Sequence, residues 1–174
     1  MVRCFIATYP LEEKIVNKAL LIQNELKKFV VGKSVERENF HITLSFLGEK
    51  TDQELEKIKN NLKDLTISLK KRLIFFTKLK LIPSENFVKV LVIEVLGLDD
   101  ISKRIEDLVG GDVKPPHLTL LRVKNVIDRN GLIKFSRLQK FDETMEVKDL
   151  KLMKSVLRRS GPIYEVMESF PLSE

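Results

Sequence analysis

The chain holds only two histidines, and each opens the same four-residue frame. His41-Ile42-Thr43-Leu44 recurs as His117-Leu118-Thr119-Leu120. With seven threonines among 174 residues, two such coincidences have a chance on the order of one in six hundred, before the matching aliphatic residues are counted. In an extended strand, residues two apart share a face, so each imidazole stands beside a hydroxyl while the aliphatic residues turn to the other side. If both frames face one cleft, imidazoles near their unperturbed pKa of about 6.5 divide at neutral pH into one neutral base and one charged acid. The threonine hydroxyls donate to non-bridging phosphate oxygens. This set suits in-line hydrolysis of a phosphodiester without a metal. The base activates water on one side of the phosphorus, and the acid protonates the oxygen leaving on the other.

Other chemistries fit less well. A lone histidine on a strand is usually structural, so the case rests on the doubled frame. Zinc ligation lacks support, because the His-x-Thr spacing is not a ligand spacing and Cys4 is the only cysteine. Gly32-Lys33-Ser34 looks like the tail of a phosphate-binding loop, but Lys27 stands where its earlier glycine belongs. No Gly-x-Ser-x-Gly is present for a serine nucleophile.

Two strands must carry the frames. The pattern predicts them at 40–47, stopped by Gly48, and at 117–123, after Pro115-Pro116. Around them it predicts strands at 2–9, 72–81, 87–96, 145–157 and 162–170. Helices are expected at 11–29, from Thr51 or Asp52 to Leu65, at 99–108 under an Asp99 or Asp100 cap, and at 130–141. The order strand, helix, motif strand, helix, strand therefore occurs twice. With no linker-like stretch between the repeats, one bilobal domain over 1–174 is expected, two lobes fused across one sheet system.

Composition agrees with a folded protein: 43% hydrophobic and 32% charged residues. A single cysteine rules out an internal disulfide. No apolar run approaches the roughly 20 residues that span a bilayer, and the N-terminus carries no signal-peptide pattern, so a cytoplasmic protein is expected. The net charge of +6 favours anionic partners, nucleic acid first. Lys70-Lys71-Arg72 and Arg158-Arg159 are the basic clusters that could steer a nucleic-acid backbone, and each fits a solvated strand end equally well.

The paired frames, with Phe5-Ile6-Ala7, the run from Phe40 through Glu49, and the closing Leu152–Leu157 and Gly161–Tyr164 segments, resemble the two-histidine phosphoesterase superfamily. Within it, the chain resembles the LigT-like RNA 2′,3′-cyclic phosphodiesterases, also called 2′-5′ RNA ligases. The resemblance implies an α+β fold of two pseudo-symmetric lobes, each an antiparallel sheet with helices packed outside, and an active-site cleft between them. It implies opening of an RNA 2′,3′-cyclic phosphate to a 2′-phosphate with no cofactor and no metal. His41 would be the proton donor, His117 the proton acceptor, and Thr43 and Thr119 the phosphate holders. With an RNA 5′-hydroxyl in place of water, the site would join RNA through a 2′-5′ linkage without ATP. Arg122 stands where the family carries an arginine, and its mirror position is Phe46. Both lie at an odd offset from their histidines, so Arg122 needs a bulge, a twist or its own reach to meet phosphate. Phe46 would wall the cleft or pack against a base, unless it is plain core. The family's arginine and aromatic before the second motif are replaced here by Asp112-Val113-Lys114-Pro115-Pro116. The expected partner is RNA with a cyclic phosphate end, tRNA fragments among them, acted on by a monomer away from any membrane. Two rivals stay open: a phosphodiesterase of a small nucleotide (a cyclic phosphate of ADP-ribose or a 2′-5′ oligoadenylate), and a non-catalytic RNA- or nucleotide-binding module.

Overall fold

A computed structural model describes residues 1–174. In chain order the elements are β1 (Val2–Thr8), α1 (Glu13–Leu26), β2 (Val30–Ser34), a 3-10 turn (Arg37–Asn39), β3 (Ile42–Lys50), α2 (Asp52–Ile67), β4 (Arg72–Ser84) and β5 (Phe87–Leu96). Then come α3 (Asp99–Val109), β6 (His117–Val126), α4 (Arg129–Leu138), β7 (Lys140–Val147), β8 (Asp149–Arg158) and β9 (Gly161–Pro171). The strands pair antiparallel in the order β7-β4-β5-β6-β3-β1-β8-β9, and β2 adds to β6. No helix is long and apolar enough to cross a membrane.

The motif strands β3 and β6 sit side by side at the middle of this order. They touch at one pair only, Ile42 opposite Leu118, and then splay apart. Each opened edge is filled by a segment that precedes the other motif: β2 lies along β6, and Asp112 bonds Phe46 through both backbone groups. Gly32 is needed in that arrangement, since a Cβ there would stand 2.1 Å from the Arg122 carbonyl oxygen. The two His-x-Thr frames are thereby locked to each other by local pairing and by exchanged neighbours.

The lobes are pseudo-symmetric but are not the two halves of the chain. One lobe holds β3, β1, β8 and β9, from the two ends of the sequence; the other holds β6, β5, β4 and β7, from its middle. The helices cross over too. Helix α1, which precedes β3, packs against β6 and β7, whereas α3, which precedes β6, packs against β3. Their buried stripes, Ile15, Ala19, Ile22 and Leu26 on α1 and Ile101 and Ile105 on α3, face a core shared with Ile42, Leu44, Leu118 and Leu121.

Several boundaries differ from expectation, each for a local reason. Gly48 does not stop the first motif strand. It adopts φ +77°, and the extra residue Leu47 bulges between the pairs Cys4–Gly48 and Phe5–Phe46, so β3 continues to Lys50. The cap of α3 is Leu98 rather than an aspartate; Asp99 and Asp100 stand in its first turn, and Asp100 pairs with Arg72 at 2.6 Å. Thr51 does cap α2, in a reciprocal box with Glu54. Helix α4 ends at Leu138, and the stretch 140–147 is a separate edge strand whose Phe141 packs on Phe76 with ring centroids 5.6 Å apart. The expected strand 145–157 is thus two strands, and β2 went unforeseen.

Candidate active site

Each histidine is aimed by the carbonyl two residues before it. His41 Nδ1 donates to the Asn39 carbonyl at 2.7 Å, and His117 Nδ1 donates to the Pro115 carbonyl at 2.8 Å. A carbonyl only accepts, so the proton of each neutral ring is on Nδ1 and Nε2 is the nitrogen with a free lone pair. Thr43 Oγ donates to His41 Nε2 at 2.9 Å. The segments that carry these carbonyls are anchored beside them. Asn39 is buried and its amide donates to the Pro162 carbonyl, while the Pro116 carbonyl accepts from the Val95 amide. Pro115 therefore orients a functional group, beyond stiffening the approach to the strand.

Both bulges that the odd offsets demand are present, at mirrored positions. On β6, Leu121 faces Leu91 and Thr119 faces Val92, which leaves Leu120 as the extra residue. On β3, Ser45 faces Ile6 and Thr43 faces Ala7, which leaves Leu44 extra. The result shows in burial: Leu44 and Ser45 are 1% and 0% exposed, and Leu120 and Leu121 are 0% and 1% exposed, consecutive residues that an unbroken pleat would point to opposite faces. The register flips after each bulge, and Phe46 and Arg122 rejoin the face of the histidines. Gly111 guards this register on β3, since a Cβ there would meet Ser45 Oγ at 2.1 Å.

The histidines, both threonines, Arg122 and Phe46 all line one cleft of about 680 Å³ between the lobes. Phe46 is 46% exposed, so it is cleft wall and not core. Sequence reasoning missed Tyr164, whose ring stands edge-on to His41 at 4.9 Å, and did not place Phe5 against the same imidazole at 5.2 Å. The expected steering clusters lie outside the cleft. Arg72 is engaged with Asp100 and Lys71 with Glu174, and neither Lys70-Lys71-Arg72 nor Arg158-Arg159 lines the cleft. The cations that do line it are Lys33, Lys80, Lys114 and Arg122. No three His, Cys, Asp or Glu side chains are grouped as metal ligands.

Burial between those aromatic rings lowers the pKa of His41, and the charges of His117 and Arg122 lower it further against the opposing Asn39 hydrogen bond. The unfolded chain therefore takes up this proton more readily than the folded one. Stability from this group is complete above the ordinary value of 6.5 and is lost as pH falls below it toward the lowered folded value. Urea titrations at pH 7.5, 6.5 and 5.5 should show wild type losing stability on acidification, with a smaller loss in His41→Gln. Equal losses would place the acid sensitivity elsewhere.

Residues 10–91 match the family described as LigT like Phosphoesterase. A Methanocaldococcus jannaschii protein named RNA 2′,3′-cyclic phosphodiesterase is 33% identical over 97% of this chain and 99% of its own length. The chain belongs to the LigT-like phosphoesterase family. Among solved structures, a Thermus thermophilus protein superposes with a TM-score of 0.82 at 24% identity, covering 98% of this chain and 97% of that one. Escherichia coli LigT superposes with a TM-score of 0.78 at 17% identity, covering 99% of both chains.

Proposed function

We propose that this protein hydrolyses RNA 2′,3′-cyclic phosphate ends to 2′-phosphates through its two histidines, as one bilobal domain over residues 1–174. The observation that carries the reading is the pair of Nδ1-anchored imidazoles on one cleft, His41 bonded to Thr43 and His117 sharing the lining with Thr119. The name and near-full-length similarity of the M. jannaschii relative support it. His117 Nε2 takes a proton from water, and the new hydroxide oxygen bonds to phosphorus. The bond to the 3′ oxygen breaks, and His41 delivers a proton to that oxygen. Thr43, Thr119 and Arg122 hold the non-bridging oxygens, with charge-assisted bonds from Arg122 the strongest of the set. Phe46 packs against the base.

The lowered proton affinity of His41 suits this role. A phosphate anion placed beside it opposes the charge of Arg122 and raises that affinity, so the proton arrives with the substrate. Once loaded, an imidazolium in a dry aromatic wedge is a strong acid toward an alkoxide. With an RNA 5′-hydroxyl in place of water, the same transfers run in the same direction: His117 takes the hydroxyl proton, the 5′ oxygen bonds to phosphorus as the 3′ oxygen leaves with the proton from His41, and RNA is joined 2′-5′. RNA bearing cyclic phosphate ends, tRNA fragments among them, is the proposed partner of a monomeric, cytoplasmic enzyme.

The test is an oligoribonucleotide ending in a 2′,3′-cyclic phosphate, incubated with the protein in excess EDTA. The expected product is a 2′-phosphate at an unchanged rate. Turnover abolished by EDTA, or a 3′-phosphate product, would overturn the mechanism.

A further inference from the structure

The two lobes treat the space beside the histidines differently. On the β3 lobe, Phe5 and Tyr164 close in on His41. On the β6 lobe, β5 presents Val90, Val92 and Glu94 to the cleft, cross-strand from Arg122, Thr119 and His117 respectively. Both signs of charge occur at either end of the lining, with Glu36 just after Lys33 and Ser34, and Lys80 and Lys114 near Glu94 and His117. Arg122 lies beside Lys33 of β2 at the far end of β6, while Glu94 stands at the His117 end, with Asp99 also on the lining. The phosphate must lie between the two histidines and within reach of Arg122, which leaves the lining beyond His117 for the rest of the nucleotide. What that end offers is apolar surface: Phe46 and Leu96, 46% and 45% exposed, and Pro115.

Glu94 is held rigidly there. Thr77 Oγ donates to its Oε1 at 2.7 Å, and Lys80 Nζ reaches its Oε2 at 2.5 Å. Hydrogen bonding to Lys80 and Thr77 also keeps its carboxyl below the usual range, so it stays charged. Each carboxylate oxygen retains a second lone pair for a ligand donor.

We propose that the His117 end of the cleft is a nucleobase slot in which Glu94 selects bases with an exocyclic amine, adenine, cytosine and guanine, over uracil. This rests on the phosphodiesterase reading above and concerns the base of the nucleotide whose cyclic phosphate is opened. Apolar walls take the faces of the heterocycle, and the fixed carboxylate accepts from N–H groups on its edge. Uracil offers that carboxylate one N–H flanked by two carbonyl oxygens, whose lone pairs oppose it.

The experiment measures kcat/KM for the four 2′,3′-cyclic mononucleotides with wild type and Glu94→Gln. Wild type should disfavour uridine by about tenfold, mainly through KM, in the range one lost edge contact allows. In Glu94→Gln the amide donates to a uracil carbonyl, and the ratio should fall toward one. Equal use of all four bases by wild type would overturn the slot, as would a uniform loss on all four in the variant, which marks a structural role. If none of the four is opened, the oligoribonucleotide assay above decides the phosphodiesterase reading, which fails only if that substrate is not opened either. Calorimetry with 2′-AMP and 2′-UMP then decides the slot alone: tighter 2′-AMP binding that depends on Glu94 upholds it, and equal Kd values overturn it.

Discussion

His41→Ala and His117→Ala should each lower kcat on a cyclic-phosphate substrate by about 10²–10⁴-fold, the usual worth of a positioned acid or base. The double variant should lose little more than the worse single one, because the two groups serve one proton circuit. Alanine at 117 removes a half-buried ring held by one backbone carbonyl, so the fold should tolerate it. Alanine at 41 also vacates the wedge between Phe5 and Tyr164 and frees the Asn39 carbonyl, which is why the variant needs a thermal melt beside its kinetics. A change of leaving group then separates the two roles. A phosphodiester with a p-nitrophenolate leaving group departs without a proton, so the acid variant should recover on it while the base variant should not. Recovery of His41→Ala alone supports His41 as donor and His117 as acceptor. Recovery of His117→Ala alone would exchange the roles, and recovery of neither would sink the acid–base pair.

The frames themselves were legible because the chemistry sits in residues two apart on one strand, the shortest spacing at which a strand repeats its face. His41 with Thr43 and His117 with Thr119 could be read with no knowledge of the fold, and so could the helices, whose buried stripes recur within a turn. What escaped was long-range. Strand β2 has only Val30 and Val31 as apolar residues, and it is a strand because β6 offers it an open edge. Nothing within 30–34 announces that edge. Strand β7 is likewise an edge strand with three deeply buried residues, Phe141, Met145 and Val147, too thinly spread to stand out as one element, so its start was read as the end of a helix and its last three residues as the start of the next strand. The exchange of helices between lobes is a property of chain crossings and leaves no local mark at all.

Arg122 lies between these cases. The odd offset from His117 stated that a bulge or its equivalent was required, but nothing said that Leu120 would be the extra residue or that Leu44 would mirror it. A faint signal exists in Leu120-Leu121, two large aliphatic residues in succession on a strand that otherwise alternates. Ser45 hid the same signal in the first frame. A buried serine there is tolerated because its hydroxyl donates to the Gly110 carbonyl at 3.0 Å. Glu94 was invisible for a different reason. Its meaning depends on the strand beside it, cross-strand from His117, and a lone glutamate in an apolar run reads only as a break in the pattern.

Arg122→Gln should lower kcat/KM by about 10²-fold, the scale of losing one preorganised donor to developing charge on a phosphate. It should also change His41 in the empty protein. The positive charge of Arg122 is among the causes that hold the imidazole down, so its removal should raise the pKa of His41, with burial still keeping it below the ordinary value. Only two histidines contribute ring signals, so proton NMR follows this titration directly, and His117→Ala assigns the remaining resonance. Arg122→Lys separates the two effects. It keeps the charge, so His41 should stay where wild type has it. It loses the planar fork that bonds two phosphate oxygens at once, so kcat/KM should recover only in part. A His41 titration that is unmoved in Arg122→Gln, together with an unchanged kcat/KM, would mean that the bulge at Leu120 turns Arg122 toward the cleft without bringing it to the phosphate.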